Sequence, residues 1–316
     1  METSSKKPLI IILGPTAVGK TTAAIALAQR LAGEIISADS RQLYRRMDIG
    51  TAKPSQDEQK AIPHHLIDVA DPDQIWSLGV YQREAYAVID QIHAREKLPF
   101  LVGGTGQYIR SLLEGWIIPA QEPDYALRDA ITHWAEIIGS EGLYERLKRI
   151  DPVAAEQIDH RNVRRTTRAL EVILKTGIRF SDLRQKQTCR YDPLVLGIIR
   201  PREILYQRID ERIDAMLAGG LIREVQNLLA AGFSPELPTM SAIGYGEIIK
   251  YLLGQISLEE AIVLIKRNTR IFVRRQSNWF KPDDERITWF HVDAEDDENQ
   301  VINIMEDYIR NELNDV

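Results

Sequence analysis

Gly14–Pro15–Thr16–Ala17–Val18–Gly19–Lys20–Thr21 fits the spacing G-x-x-x-x-G-K-[ST] with nothing left over. Chemistry at such a loop is chemistry on phosphate. Gly14 and Gly19 let the backbone bend until successive N–H groups converge on phosphate oxygens, and the helix that follows points its positive end at the same place. Lys20 adds a full charge, and the Thr21 hydroxyl can ligate Mg²⁺. The spacing does not say whose phosphate is held. ATP or GTP is the default occupant, and another phosphorylated compound can use the same cradle.

A phosphoryl-transfer enzyme of this class also needs an aspartate at the end of a neighbouring strand to hold the metal. Asp39 follows "EIISA" and is trailed by Ser40, Arg41 and Gln42, whereas Asp68 lies inside "LIDV", its side chain turned to a helix rather than a ligand. The strand "PFLV" ends in Gly103–Gly104–Thr105–Gly106 and offers no acid. That turn lets a ligand approach the backbone and supplies one hydroxyl, which makes it a contact surface rather than a metal site. The incomplete metal apparatus weighs against a hydrolase or a kinase. Asp39 then has a second reading, as a general base that takes a proton from a nucleophile arriving beside a phosphorylated leaving group. A helix cap or a metal ligand are its alternatives.

These residues need a scaffold, and the spacing predicts one. Leu9–Leu13 is a short apolar run that reads as a buried parallel strand, followed by an amphipathic helix over Thr21–Leu31. Further strands are expected at Glu34–Ser37, His65–Val69 and Pro99–Val102, with a helix capped by Ser77 and running to about Lys97 between the last two. Strands alternating with helices imply a parallel sheet wrapped by helices, with ligands at the carboxyl ends of the strands. After Gly115 the pattern becomes helical: Tyr125–Ile138, Leu143–Ile150, Val153–Ile158 and Val163–Lys175, the last capped by Asn162 and closed by Gly177. Pro193–Ile199 resumes the strand pattern, and helices follow at Arg202–Ala218, Leu221–Ala231 and Leu258–Gln276. Arg286–Val292 adds an edge strand, and the acidic tail reads as a surface helix. The expected class is therefore α/β: a P-loop core over 1–120, an all-helical insertion over 121–189, and core completion with C-terminal helices over 190–316.

A chain of 316 residues, 44% hydrophobic, can bury a sizeable core. Its one cysteine, Cys189, excludes a disulfide framework and a cysteine-rich zinc module, which suits a reducing cytoplasm. The five-residue apolar run after Lys6 and Lys7 is too short for a leader or a membrane span. Net charge is −6, yet Asp283–Val316 alone carries twelve acidic and two basic residues, so residues 1–282 carry +4. Ile158–Arg190 holds nine Lys/Arg against three Asp/Glu, and Leu264–Lys281 holds six against none, with Trp279 and Phe280 inside the second run. Solvated helix faces are the plain reading of one such run. Two, with aromatic residues at hand, point to a polyanion.

The strings GPTAVGKT (Gly14–Thr21), ISADSRQLYRRMDIGTAKP (Ile36–Pro54), PHHLIDVADP (Pro63–Pro72), LVGGTGQYIRSLLEG (Leu101–Gly115), NVRRTTRALE (Asn162–Glu171), RIDERIDAML (Arg208–Leu217) and AIGYGE (Ala242–Glu247) resemble, in order and over nearly the whole chain, the tRNA dimethylallyltransferases, also called tRNA isopentenyltransferases. The resemblance implies transfer of a dimethylallyl group from its diphosphate to the exocyclic amino group of the adenosine immediately 3′ of a tRNA anticodon. It implies that residues 14–21 grip a diphosphate leaving group with Mg²⁺, that Asp39 is the base, that Thr105 lies beside the reacting nucleotide, and that Arg212, helped by Arg208, meets the diphosphate. It assigns tRNA contacts to Asp39, Ser40, Arg41, Gln42 and Thr105, to Arg128, Arg164, Arg165, Thr166, Thr167 and Arg168 in the helical insertion, and to Arg274, Arg275 and Gln276 in the C-terminal helix. A base that reacts there must leave its stack, so a tunnel with the diphosphate at its far end is expected. Many members begin the tRNA-contacting tetrad Asp-Ser-Ala; here it reads Asp39–Ser40–Arg41–Gln42. The single cysteine leaves no appended zinc finger, which favours the bacterial type, expected to act as a monomer. Three rivals remain: an adenylate isopentenyltransferase, whose free nucleotide needs no wide cationic surface; a small-molecule kinase with ATP in the loop; and a non-enzymatic, nucleotide-gated RNA-binding module.

Overall fold

The computed structural model describes residues 6–118, 124–182, 188–293 and 298–314. Two compact units make up the chain: Met1–Leu113 with Cys189–Val316, and Glu114–Thr188.

In the first unit, β1 (Pro8–Leu13) leads through the glycine loop into α1 (Lys20–Arg30), and β2 (Gly33–Ala38) follows. Next come α2 (Gln56–Ala61), β3 (His64–His65), α3 (Leu78–Ala94), β4 (Leu98–Gly103) and α4 (Gly106–Leu113). All six strands, once β5 (Asp192–Ile199) and β6 (Ile287–His291) are counted, form one parallel sheet in the order β3-β2-β4-β1-β5-β6. β1 sits between β4 and β5 with Ile11 opposite Leu101 and Val195, and Leu9–Leu13 are all fully buried. A strand covered on both faces has no side to give to water, which is why its sequence is an unbroken apolar run.

One expected strand is largely absent. β3 is two residues long, because Leu66 and Asp68 take positive φ (58° and 56°) and the backbone N–H groups of Asp68, Val69 and Ala70 turn to the carbonyls of Gln42 and Leu43. The Asp68 carboxylate pairs with Lys53 Nζ at 2.5 Å instead of facing a ligand. Helices α2 and α4 were not foreseen, although Ser55 and Glu58 form a capping box legible in the sequence.

The unit closes with α8 (Arg202–Ala218), α9 (Leu221–Ala230), α10 (Tyr245–Leu252), α11 (Leu258–Gln276) and α12 (Glu298–Asn314), numbered after the three helices of the second unit. α12 is more than a surface helix: Val301, Ile302, Met305 and Ile309 are buried in the main core. No helix among the described residues is long and apolar enough to cross a membrane.

The second unit is α5 (Tyr125–Ile150), α6 (Pro152–Glu156) and α7 (Val163–Thr176), with a core of its own that includes Ile131, Leu143, Leu147, Ala169 and Leu170. Gly139, at φ 77° and ψ 164°, interrupts α5 between the two helices expected there. Asn162 accepts from Arg165 N to cap α7, and Gly177 closes it in the left-handed conformation.

The segment joining β2 to α2 is braced from outside. The Glu224 carboxylate accepts from the backbone N–H groups of Asp48, Ile49 and Gly50 at 3.0, 2.8 and 3.1 Å, and from the Tyr245 hydroxyl at 2.6 Å. Lys53, almost completely buried, bonds Tyr44 O as well as Asp48 and Asp68. Replacing Glu224 by alanine strands three backbone donors, so Glu224→Ala is expected to lower unfolding free energy by about 2 kcal/mol in chemical denaturation.

Candidate phosphate and group-transfer site

Gly19 caps α1 in the left-handed conformation (φ 108°) and contributes no side chain, so the first N–H groups of α1 face the loop uncovered by any capping group. Lys20 bends back across the loop to donate to Pro15 O at 2.7 Å. Its ammonium is pushed down to about 8, first by burial and then by the neighbouring Arg212 guanidinium, with Asp39 pulling the other way. Arg212, on α8, is itself lowered by burial, again opposed by Asp39. Two cations and one carboxylate therefore share a poorly solvated space.

That space is a cleft lined in part by Thr16, Lys20, Thr21, Ser37, Asp39, Gln42, His64, Gly103 and Arg212. A second hollow, lined by Ala17, Gly19, Lys20, Thr21, Thr22, Arg208, Glu211 and Arg212, meets it at Lys20, Thr21 and Arg212. Arg208 lies one turn before Arg212; it donates to Ala17 O at 3.0 Å and to Glu298 at 3.0 Å. Arg200, which the sequence reading missed, holds the other side of the loop through Val18 O at 2.9 Å and also reaches Glu298. Gly14 is needed for a close approach, since a Cβ there would stand 2.6 Å from Ile198 O.

Asp39 sits at the carboxyl end of β2, where Arg41 N donates to its Oδ1 at 2.9 Å. Ser40 N donates to the Thr105 hydroxyl at 3.0 Å, and Thr105 N to Ala38 O at 3.1 Å, so the turn after β4 is tied to the turn that carries Asp39. Arg41 reaches Pro238 O, and Gln42 accepts from the Ser37 hydroxyl and donates to Ala52 O. Ser37 and His64 were not singled out from the sequence: Ser37 is one polar residue in an apolar strand and His64 the first of two adjacent histidines, with no spacing to mark either.

The glycines of Gly103–Gly104–Thr105–Gly106 prove to serve protein packing. A Cβ on Gly103 would meet Ala38 O at 2.2 Å, on Gly104 the Gln276 amide at 2.3 Å, and on Gly106 the Trp279 ring at 2.2 Å. Gln276 is correspondingly buried, accepting from Thr16 N at 2.9 Å and donating to Gly104 O at 3.2 Å. Its amide has no free face for RNA, contrary to the assignment from resemblance, while Arg274 and Arg275 beside it are exposed.

In the second unit Arg164 and Arg165 are exposed, but Thr166 and Thr167 are buried, and Thr166 bonds Asn162 O. These two threonines face inward and offer RNA no surface. Arg128 and Arg168 both bond the fully buried Glu171 at 2.7 Å. Burial pushes that carboxyl up, but Arg168, Arg128 and the Asp124 N–H outweigh it and hold it below its ordinary value. The pair of guanidinium groups is thus pre-oriented on one carboxylate.

For Mg²⁺ the fit is partial. The Thr21 hydroxyl and the Asp39 carboxylate line one cleft and are hard oxygen donors, yet no cluster of three or more His, Cys, Asp or Glu able to hold a metal occurs among the described residues. An ion there would take its remaining ligands from phosphate and water, the usual habit of Mg²⁺.

A parallel sheet with a glycine-rich loop after its central strand, a half-buried lysine in that loop and an acid at the end of the next strand but one define a phosphate-loop group-transfer protein. Residues 42–283 match the family model described as IPP transferase, and residues 7–72 match that described as isopentenyl transferase. The chain belongs to the IPP transferase family. It is 47% identical over 289 residues to a tRNA dimethylallyltransferase of Thermomicrobium roseum, covering 92% of this chain and 88% of that one. Among solved structures it resembles a tRNA isopentenylpyrophosphate transferase from Bacillus halodurans (TM-score 0.74, 39% identity, 98% of each chain). It also resembles a eukaryotic dimethylallyltransferase acting on tRNA (TM-score 0.83, 30% identity, 96% of this chain and 80% of that one).

Lys20 loses its charge as pH rises through about 8, so anion binding that depends on it must weaken there. Lys20→Arg keeps its charge throughout. The ratio of wild-type to Lys20→Arg affinity for inorganic diphosphate, measured by calorimetry, is expected to fall by up to about tenfold per pH unit above that point.

Proposed function

We propose that this protein transfers a dimethylallyl group from dimethylallyl diphosphate to the exocyclic amino group of the adenosine adjacent to a tRNA anticodon, releasing diphosphate. The observation that carries the reading is the convergence of Lys20, Arg212 and Asp39 on one cleft that the glycine loop closes. The allylic C–O bond breaks as the amino nitrogen bonds to the same carbon, the electron pair leaves with the diphosphate, and the amino proton passes to Asp39. Lys20, Arg212 and Arg208, with the N–H groups at the start of α1, take up the charge that grows on the leaving diphosphate. Mg²⁺ held by Thr21 would supply further charge neutralisation on the diphosphate. The two hollows that meet at Lys20, Thr21 and Arg212 support a base entering from one side and a diphosphate from the other. Exposed Arg164, Arg165, Arg274 and Arg275, with the anchored Arg128 and Arg168, support an RNA acceptor over a free nucleotide. The lone cysteine fits action in the cytoplasm.

Purified protein with Mg²⁺ and labelled dimethylallyl diphosphate is expected to label an unmodified anticodon stem-loop; labelling of AMP alone would transfer the assignment to the nucleotide-prenylating cousins. In the same assay Asp39→Asn should slow transfer by about 10²–10⁴-fold with RNA affinity nearly intact.

Replacing Arg164 and Arg165 should weaken stem-loop binding and flatten its dependence on salt by a slope of about one per lost phosphate contact. An unchanged slope would mark both as ordinary solvated residues.

A further inference from the structure

The strongest unassigned feature is the buried amide of Gln276. It lies at the last residue of α11, next to two exposed arginines, yet its own side chain turns inward. There it accepts from Thr16 N in the phosphate loop and donates to Gly104 O in the turn after β4. The amide does both at once, its oxygen accepting from Thr16 N and its NH₂ donating to Gly104 O. The fit is close enough that Gly104 must lack a side chain, because a Cβ would lie 2.3 Å from Gln276 Nε2. Gly104 adjoins Thr105, whose hydroxyl receives Ser40 N, and Ser40 adjoins Asp39.

We infer that Gln276 is a positioning residue that fixes the distance between the diphosphate cradle and the Thr105 turn, to which the turn carrying the base is tied. One amide spans the two pieces between which the prenyl group must pass, and it does so from the helix that presents Arg274 and Arg275 to solvent. Without it, the phosphate loop and the Thr105 turn keep their own strands but lose the bond that sets their separation. Displacement of reacting groups by about an ångström lowers rate by about a hundredfold. The inference rests on the prenyl-transfer reading above.

The test uses Gln276→Ala, Gly104→Ala and the double variant of the full chain. Gln276→Ala is expected to lower kcat/KM for the prenyl diphosphate about a hundredfold and to weaken binding of inorganic diphosphate about tenfold. Stem-loop affinity and its salt slope should stay within twofold of wild type. Gly104→Ala, which pushes the amide away while leaving α11 unchanged, should reproduce the loss, and the double variant should lose little more than either single one. Transfer within twofold of wild type in Gln276→Ala, additive losses in the double variant, or a parallel fall in RNA affinity would each overturn the inference, the last by returning Gln276 to the RNA surface. Diphosphate binding is read without catalysis. If the wild-type chain failed to prenylate RNA, the functional reading would fall separately from the loss of diphosphate affinity in the variants.

Discussion

Everything in the site follows from placing Lys20 and Arg212 in the same desolvated cleft with one carboxylate between their fields. Burial lowers the pKa of both, and the Arg212 charge beside Lys20 lowers that of the lysine further. Asp39 relieves part of that repulsion, and an anionic leaving group would relieve far more. The charge of the cleft is thus of a sign that favours an anion.

Such a cleft holds only if its walls do. The segment after β2 has little regular structure and would be mobile by itself, but Glu224 takes three of its N–H groups and Lys53 ties Tyr44, Asp48 and Asp68 together. Arg200 and Arg208 hold the carbonyls of Val18 and Ala17 and meet on Glu298 at the start of α12. The acidic tail thereby contributes a charge to the phosphate loop as well as apolar residues to the core. The negative charge of this helix, expected to lie on the surface, is partly structural.

The cationic surfaces are organised by the same logic on a smaller scale. Glu171 is buried without exposure, and its burial is tolerable only because Arg128, Arg168 and the Asp124 N–H satisfy it. The two arginines keep about a third of their side-chain surface exposed while held on that one carboxylate. Arg164 and Arg165, unanchored and exposed, act as plain charge.

Motif and periodicity went far with this chain. The phosphate loop, the alternation of strands and helices around it, the caps Ser77 and Asn162 and the helix bounds Arg202–Ala218 and Leu258–Gln276 are local properties, set by spacing within a few turns of backbone, and the sequence by itself determined them. Lys20 and Asp39 are marked as candidates by motif position and Arg212 by family resemblance; their meeting in one cleft is visible only in the structure. Where local reading erred, the cause was a partner remote in sequence. His65–Val69 has a strand's composition, but its N–H groups find Gln42 and Leu43 first. Thr166, Thr167 and Gln276 lie in basic runs and turn inward because a helix face is chosen by packing, which residue type alone does not reveal. The glycines at 103, 104 and 106 look like room for a ligand and are filled by Ala38, Gln276 and Trp279. Only the tertiary structure decided these, because a close approach between segments 172 residues apart, as between Gln276 and Gly104, leaves no periodic trace in either one.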